Sequence, residues 1–120
     1  MNILLLCNKS PFPPGEGGPM AMNSIVTGLL EAGHTVKVIA FNSNKYHVEM
    51  QDIPEDYRKK TRIEFIDINL KIKYSDALKN LFSNESFHVL RFISDDFKKR
   101  LVQVLKKEKF DIVQLETIYI

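Results

Sequence analysis

The most constraining feature of this chain is a short, unbroken apolar run, Ile3-Leu4-Leu5-Leu6-Cys7, followed at once by a segment that regular structure cannot enter. A run of that length without polar alternation reads as a strand over 2–7 covered on both faces, as in the middle of a parallel sheet. The next twelve residues, Asn8-Lys9-Ser10-Pro11-Phe12-Pro13-Pro14-Gly15-Glu16-Gly17-Gly18-Pro19, hold four prolines and three glycines, which makes a shaped loop. From 20 to 32, Met22, Ile25, Val26, Leu29 and Leu30 recur at helical spacing, and Gly33 supplies the residue that can turn left-handed after the last turn. The spacing predicts a helix over about 19–32. Residues 35–41, rich in β-branched side chains and closed by Asn42-Ser43-Asn44, then read as a second strand. Strand, loop, helix and strand form one βαβ unit.

Beyond it, 45–60 lacks periodicity, carries one proline and many charges, and reads as an irregular excursion with a helical turn near 55–59. Residues 62–68 alternate in part and suit an exposed edge strand. Leu, Phe and Val at helical spacing predict short helices over 75–82 and 87–93. Ser94 is placed to cap a stronger helix: Asp95 and Asp96 occupy its first turn, Phe97, Leu101, Val104 and Leu105 form its apolar stripe, and Lys106, Lys107 and Lys109 end it, so both ends complement the helix dipole. Residues 111–115 make a fourth strand. The apolar ending Ile118-Tyr119-Ile120 leads to the expectation that the chain is a fragment of a longer protein. With right-handed crossovers, the simplest sheet has the order third, second, first, fourth, with helices on both faces: an α/β, Rossmann-like, open parallel sheet. Chain direction across the sheet reverses between the first and fourth strands, so the loop after Cys7 and the residues after Leu115 are the expected walls of a site.

Composition narrows the function classes. At 120 residues the chain makes one domain, and 17 basic against 15 acidic side chains, interspersed, argue against a nucleic-acid partner. The run Arg58-Lys59-Lys60 sits beside Glu55 and Asp56 and reads as a solvated turn. The single Cys7 lies in an apolar strand, where a buried, inert thiol is expected, consistent with a reducing cytoplasm. No stretch approaches the roughly 18 to 20 apolar residues of a membrane helix, which leaves peripheral membrane contact open. There is no G-x-G-x-x-G after the first strand, and the second ends in Phe41-Asn42 where a dinucleotide site wants an acid. A phosphate loop is absent too, because Pro19 follows Gly18. His34, His47 and His88 are scattered, so no cofactor and no metal are expected, and neither Ser10 nor Cys7 has a base assigned by sequence. Gly17-Gly18 before the helix would let a ligand approach backbone N–H groups closely, or form a plain rigid turn.

The stretch N-I-L-L-L-C-N-K-S-P-F-P-P-G-E-G-G-P through L-L-E-A-G-H-T-V-K-V-I-A resembles the opening of retaining glycosyltransferases with the GT-B fold, in particular glycosyltransferase family 4. The closing F-D-I-V-Q-L-E is similar to that family's "D-[IV]-[IV]-H-x-[HE]" strand, although Gln114 stands where a His is frequent and Glu116 where a His is often seen. The resemblance covers 1–41 and 110–117. It implies that 1–120 is the N-terminal, acceptor-side domain of an enzyme that transfers a sugar from a nucleotide-sugar to a saccharide or lipid-linked acceptor, with the donor held mainly by a C-terminal domain. Gly17, Gly18, Asn23 and, from its place at the end of the fourth strand, Glu116 are the residues expected to bind substrate or donor; catalytic residues are not identified. Glu116, at the end of the fourth strand, is expected to face the Gly17-Gly18 loop and to accept hydrogen bonds from sugar hydroxyls. The rival class is a non-catalytic ligand-binding module of the flavodoxin-like kind.

Overall fold

The structure, a computed structural model, describes residues 1–68 and 94–116. The helices expected over 75–82 and 87–93, His88 and the apolar ending at 118–120 lie outside the described residues. Eight elements follow in order: β1 (Asn2–Cys7), α1 (Gly17–Glu31), β2 (Thr35–Ser43), a 3-10 turn (Met50–Asp52), α2 (Glu55–Thr61), β3 (Glu64–Ile68), α3 (Asp95–Lys107) and β4 (Ile112–Leu115). The four strands form one sheet in the order β3-β2-β1-β4, and every pairing is parallel. Among the described residues this is the Rossmann half-sheet order; a flavodoxin-like sheet would place β3 beside β1.

The unbroken apolar run does what its pattern requires. Alternate side chains of β1 enter two separate cores: Ile3, Leu5 and Cys7 meet Val36, Val38 and Ala40 of β2, Met22 and Val26 of α1, and Ile53 and Ile63 around α2. Leu4 and Leu6 meet Ile39, Phe41 and, from α3, Phe97 and Val104. The Phe41 and Phe97 rings are 4.7 Å apart. α1 and α2 therefore cover one face and α3 the other. A strand with a core on each side has no polar face to show, which is why β1 carries no alternation.

Helix α1 ends as expected but starts two to three residues early. At its end Gly33 has φ +82°, its N–H donates to the Leu30 carbonyl and the His34 N–H to that of Leu29, a paired closure that satisfies the last carbonyls. At its start, Gly17, Gly18 and Pro19 form the first turn rather than preceding it. First-turn N–H groups need no intrahelical partner, so proline loses nothing there and the helical penalty of glycine is smallest. β2 runs two residues past its expected end, to Ser43. The basic run is part of α2 rather than of a turn, with Lys59 paired to Glu55 and Lys60 to Asp56 along one exposed helix face.

Ser94 caps α3 as read, its Oγ accepting from the Phe97 N–H at 3.2 Å. The stripe is narrower than its spacing suggested: Phe97 and Val104 are buried and Leu101 packs beside them, whereas Leu105, on the flank of the stripe, is 44 % exposed. On β4, Ile112, Val113 and Leu115 are also more than two-fifths exposed. No helix among the described residues is long and apolar enough to cross a membrane.

Candidate functional site

The carboxyl ends of the parallel strands gather the loop after β1, the turn after β2 and the residue after β4. The β1–α1 loop is held from within. Ser10 is buried, and its hydroxyl donates to the Phe12 carbonyl while accepting from the Phe12 N–H at 3.2 Å. The Phe12–Pro13 peptide is cis, and the Gly15 N–H closes a turn on the Pro13 carbonyl at 2.9 Å. The Phe12 ring lies 5.1 Å from that of Tyr57 on α2, so the proline-rich segment is anchored to the α2 side of the domain.

The turn after β2 is fixed by two side chains whose residue types favour turns. The Asn42 side chain accepts from the Val48 N–H and donates to the Val48 carbonyl, both at 2.9 Å, and Ser43 Oγ accepts from the Tyr46 N–H at 3.1 Å. Asn42, the residue at which a dinucleotide site would want an acid, is thereby committed to the backbone. The closed turn swings Lys45, Tyr46 and His47 against the β1–α1 loop. Between the two lies a cleft of about 400 Å³, walled by Lys9, Ser10, Phe12, Pro13, Gly15, Glu16 and Pro19 on one side and by residues 45–48 on the other.

Lys9 organises that cleft. Its ammonium lies 3.2 Å from Glu16 Oε2 and 4.6 Å from the centroid of the Tyr46 ring, with Lys45 Nζ 5.1 Å from the same ring. Its stem runs across Gly18: a Cβ built there would stand 3.1 Å from Lys9 Cε, whereas one at Gly17 would meet nothing within 4 Å. The space that Gly18 leaves is thus occupied by the stem of Lys9, while Gly17 faces open space. His47 Nε2 is 2.6 Å from Glu49 Oε1 at the cleft's outer edge.

Glu116 follows β4 directly. Its N–H donates to the Leu6 carbonyl at 3.0 Å, and its Oε1 accepts from Gln114 Nε2 at 2.7 Å. Cys7, at the end of β1, is buried; burial and, second, the charge of Glu116 push its thiol pKa far above the ordinary range, so it is an inert thiol. Glu116 is therefore beside Cys7, but it is not a wall of the Lys9–Tyr46 cleft. Asn23 stands one helical turn before Thr27, which with Leu30 and Tyr57 lines a groove of about 440 Å³ between α1 and α2. The Asn23 Oδ1 and Tyr57 hydroxyl are both buried with no hydrogen-bond partner among the described residues. Burial, and next Cys7, raise the Tyr57 phenol above its ordinary pKa.

Of the four residues expected to touch substrate, Gly17 and Gly18 sit beside the cleft, Glu116 is at the β1–β4 junction, and Asn23 is on the helix face toward α2. His34 accepts from the chain's terminal ammonium at 3.1 Å, at the amino end of the sheet and away from the site. Among the described residues no group of three or more His, Cys, Asp or Glu could hold a metal ion. Lys45, Tyr46 and His47 were hidden in the segment read as irregular. The signal for them was Asn42-Ser43, two turn-forming side chains directly after an apolar strand. No protein-family model, curated protein or solved structure matches the chain.

Proposed function

We propose that residues 1–120 form the acceptor-side, N-terminal domain of a retaining glycosyltransferase, which moves a sugar from a nucleotide-sugar donor to a saccharide or lipid-linked acceptor in the cytoplasm, at or near a membrane surface. The observation that carries this reading is the sheet order. It puts the proline-glycine loop after β1 and the carboxylate after β4 on either side of the strand end where chain direction reverses, the place where open α/β sheets bind ligands. Gly17 and Gly18 open the first turn of α1 beside that point, and Glu116 has one oxygen on Gln114 and the other without a hydrogen-bond partner among the described residues. A carboxylate so held accepts from a sugar hydroxyl and orients the acceptor. It is not a covalent nucleophile, for which a paired acid at close range would be needed. In this reading the donor is gripped by a second α/β domain, and reaction requires both substrates to be positioned together.

The test uses the longest polypeptide that the reading frame encodes, given a panel of nucleotide-sugars with saccharide and lipid-linked acceptors. Transfer is expected from that protein and none from the 120-residue chain by itself. Glu116→Gln is expected to lower kcat/KM for the acceptor about tenfold or more, the loss of one charge-assisted hydrogen bond, with hydrolysis of the donor by water little changed. Turnover by the 120-residue chain, or an absence of transfer from the long polypeptide across the panel, overturns the reading. An unchanged Glu116→Gln enzyme removes Glu116 from the site.

A further inference from the structure

The Lys9–Tyr46 cleft holds an arrangement that packing does not explain. Two ammonium groups share the ring of Tyr46, and among the described residues one carboxylate, Glu16, pairs with them. Lys45 has no carboxylate partner among the described residues. Each cation gains from the ring quadrupole, and Glu16 offsets only one of the two charges, so the pair keeps a net positive charge that a further anion would offset. The arrangement is also held in place: the Lys9 side chain is only 20 % exposed, its stem is seated in the space that Gly18 leaves, and Asn42 and Ser43 clamp the turn that presents Lys45 and Tyr46.

We propose that this cleft binds the phosphomonoester group of a small ligand, with Lys9 and Lys45 as its cationic arms and Phe12, Pro13 and Tyr46 as the apolar walls for the body that carries it. The volume, about 400 Å³, suits a sugar-sized ligand. Glu16 balances one of the two lysines, so one net positive charge remains, and the two ammonium groups can each donate to a different oxygen of one phosphate group. With Glu16 and Glu49 interspersed among the lysines there is no continuous basic track for an extended polyanion, so a nucleic-acid backbone is not the occupant. Gly18 borders this site without lining it. A Cβ there would stand 3.1 Å from Lys9 Cε, so the lysine stem would have to shift by a few tenths of an ångström. The inference stands apart from the transferase reading; if that reading holds as well, the phosphate belongs to the acceptor.

The experiment is a titration of the 120-residue chain with a hexose 1-phosphate, the free hexose and inorganic phosphate at constant ionic strength, followed by calorimetry and by backbone amide shifts. Saturable binding of the hexose 1-phosphate is expected, with shifts centred on Lys9, Gly18, Lys45 and Tyr46, and none with the free hexose. Lys45→Met and Lys9→Met are each expected to weaken it about tenfold, the loss of one charge-assisted contact. Lys59→Met, an equal charge change on the exposed face of α2, leaves it within about twofold. Phosphatidylcholine vesicles with and without phosphatidic acid form the second arm. Binding only to the phosphatidic acid vesicles, abolished by Lys45→Met, assigns the phosphate to a lipid headgroup, and binding only to the hexose 1-phosphate assigns it to a soluble ligand. Equal weakening by Lys59→Met, amide shifts centred elsewhere, or no binding in either arm overturns the proposal. Because phosphate binding needs no donor, its failure leaves the transferase reading in place, and a protein that binds phosphate without transferring sugar loses only that reading.

Discussion

The two ends of the sheet use charge in opposite ways. At the amino end, charged side chains tie strands and helices together. Glu64, the first residue of β3, takes the Nε and Nη2 of Arg100 from α3 at 2.6 and 2.7 Å and also pairs with Lys37 of β2, which is only 8 % exposed. Beside it, Glu108 accepts from Arg62 at 2.7 Å and from Asn2 at 2.9 Å, and Asp111 accepts from the Asn2 N–H at 2.6 Å. These groups join β1, β2, β3, α3 and the approach to β4, and each carboxylate is committed to partners within the fold. At the carboxyl end the contacts are local and more exposed: Lys9 pairs with Glu16 seven residues on, and His47 is hydrogen-bonded to Glu49 two residues on. Among the described residues Lys45 has no carboxylate partner, and the Glu116 side chain has Gln114 alone as its hydrogen-bond partner. Charges committed between distant segments hold a fold. Charges left on short tethers around a cleft are available to a ligand.

The sharpest way to break this comparison is at Glu64. Glu64→Gln leaves the nearly buried Lys37 ammonium without its carboxylate, and a loss of about 2–4 kcal/mol in urea unfolding is expected. Lys37→Met in the same chain is expected to recover part of that loss, because no uncompensated charge then remains inside. A loss below about 0.5 kcal/mol, the usual range for a surface position, would mean that the amino end is not held by charge.

The same carboxylate sets a pH dependence. The Arg100 guanidinium first, opposed by burial, and then the Lys37 ammonium lower its pKa from 4.5 to about 2. A carboxylate with a depressed folded-state pKa stabilises fully above its unfolded value, so this contribution is present above pH 4.5 and disappears as pH falls toward 2. Unfolding free energy measured across that interval should fall more steeply for the parent chain than for Glu64→Gln. Parallel profiles would detach acid sensitivity from Glu64.

Glu108 gives a smaller effect of the same kind. Arg62, and then Asn2, lower its pKa, but its side chain is about one-third exposed. Glu108→Gln is expected to cost about 1 kcal/mol, decreasing with added salt. At the opposite end, Lys45→Met and Glu116→Gln are each expected to change stability by less than about 0.5 kcal/mol, whatever they do to binding. A loss of more than 1 kcal/mol from either would assign it a structural part and erase the contrast between the ends.

Much of the sheet could be read from residue patterns because those patterns are local. Ile3 to Cys7 had to be central, since no other place hides both faces of a strand. Gly33 had to close α1, since a left-handed residue is needed there, and Ser94 had to open α3. Errors fell where local preference and position disagree. Gly17 and Gly18 are poor helix formers in mid-helix but cost least in a first turn, so α1 starts at Gly17, earlier than local propensity indicates. Leu105 is as apolar as its neighbours and still faces outward, because burial on α3 depends on where the sheet lies.

The residues by themselves determined the class of fold and its strand order: one continuous apolar strand, a shaped loop, a helix and β-branched strands leave few arrangements once crossovers are right-handed. They also determined that Cys7 is an inert thiol, since it sits in a strand with no exposed face. Only the tertiary structure decided which polar residues meet. Lys9 and Tyr46 are 37 positions apart in the chain and Glu64 and Arg100 are 36 apart, yet the first pair borders an open cleft and the second pair locks an edge strand to a helix. Residue type is the same kind of information in both cases. What differs is the solvent and the number of partners that packing assigns to each charge, and neither is written in the neighbouring residues.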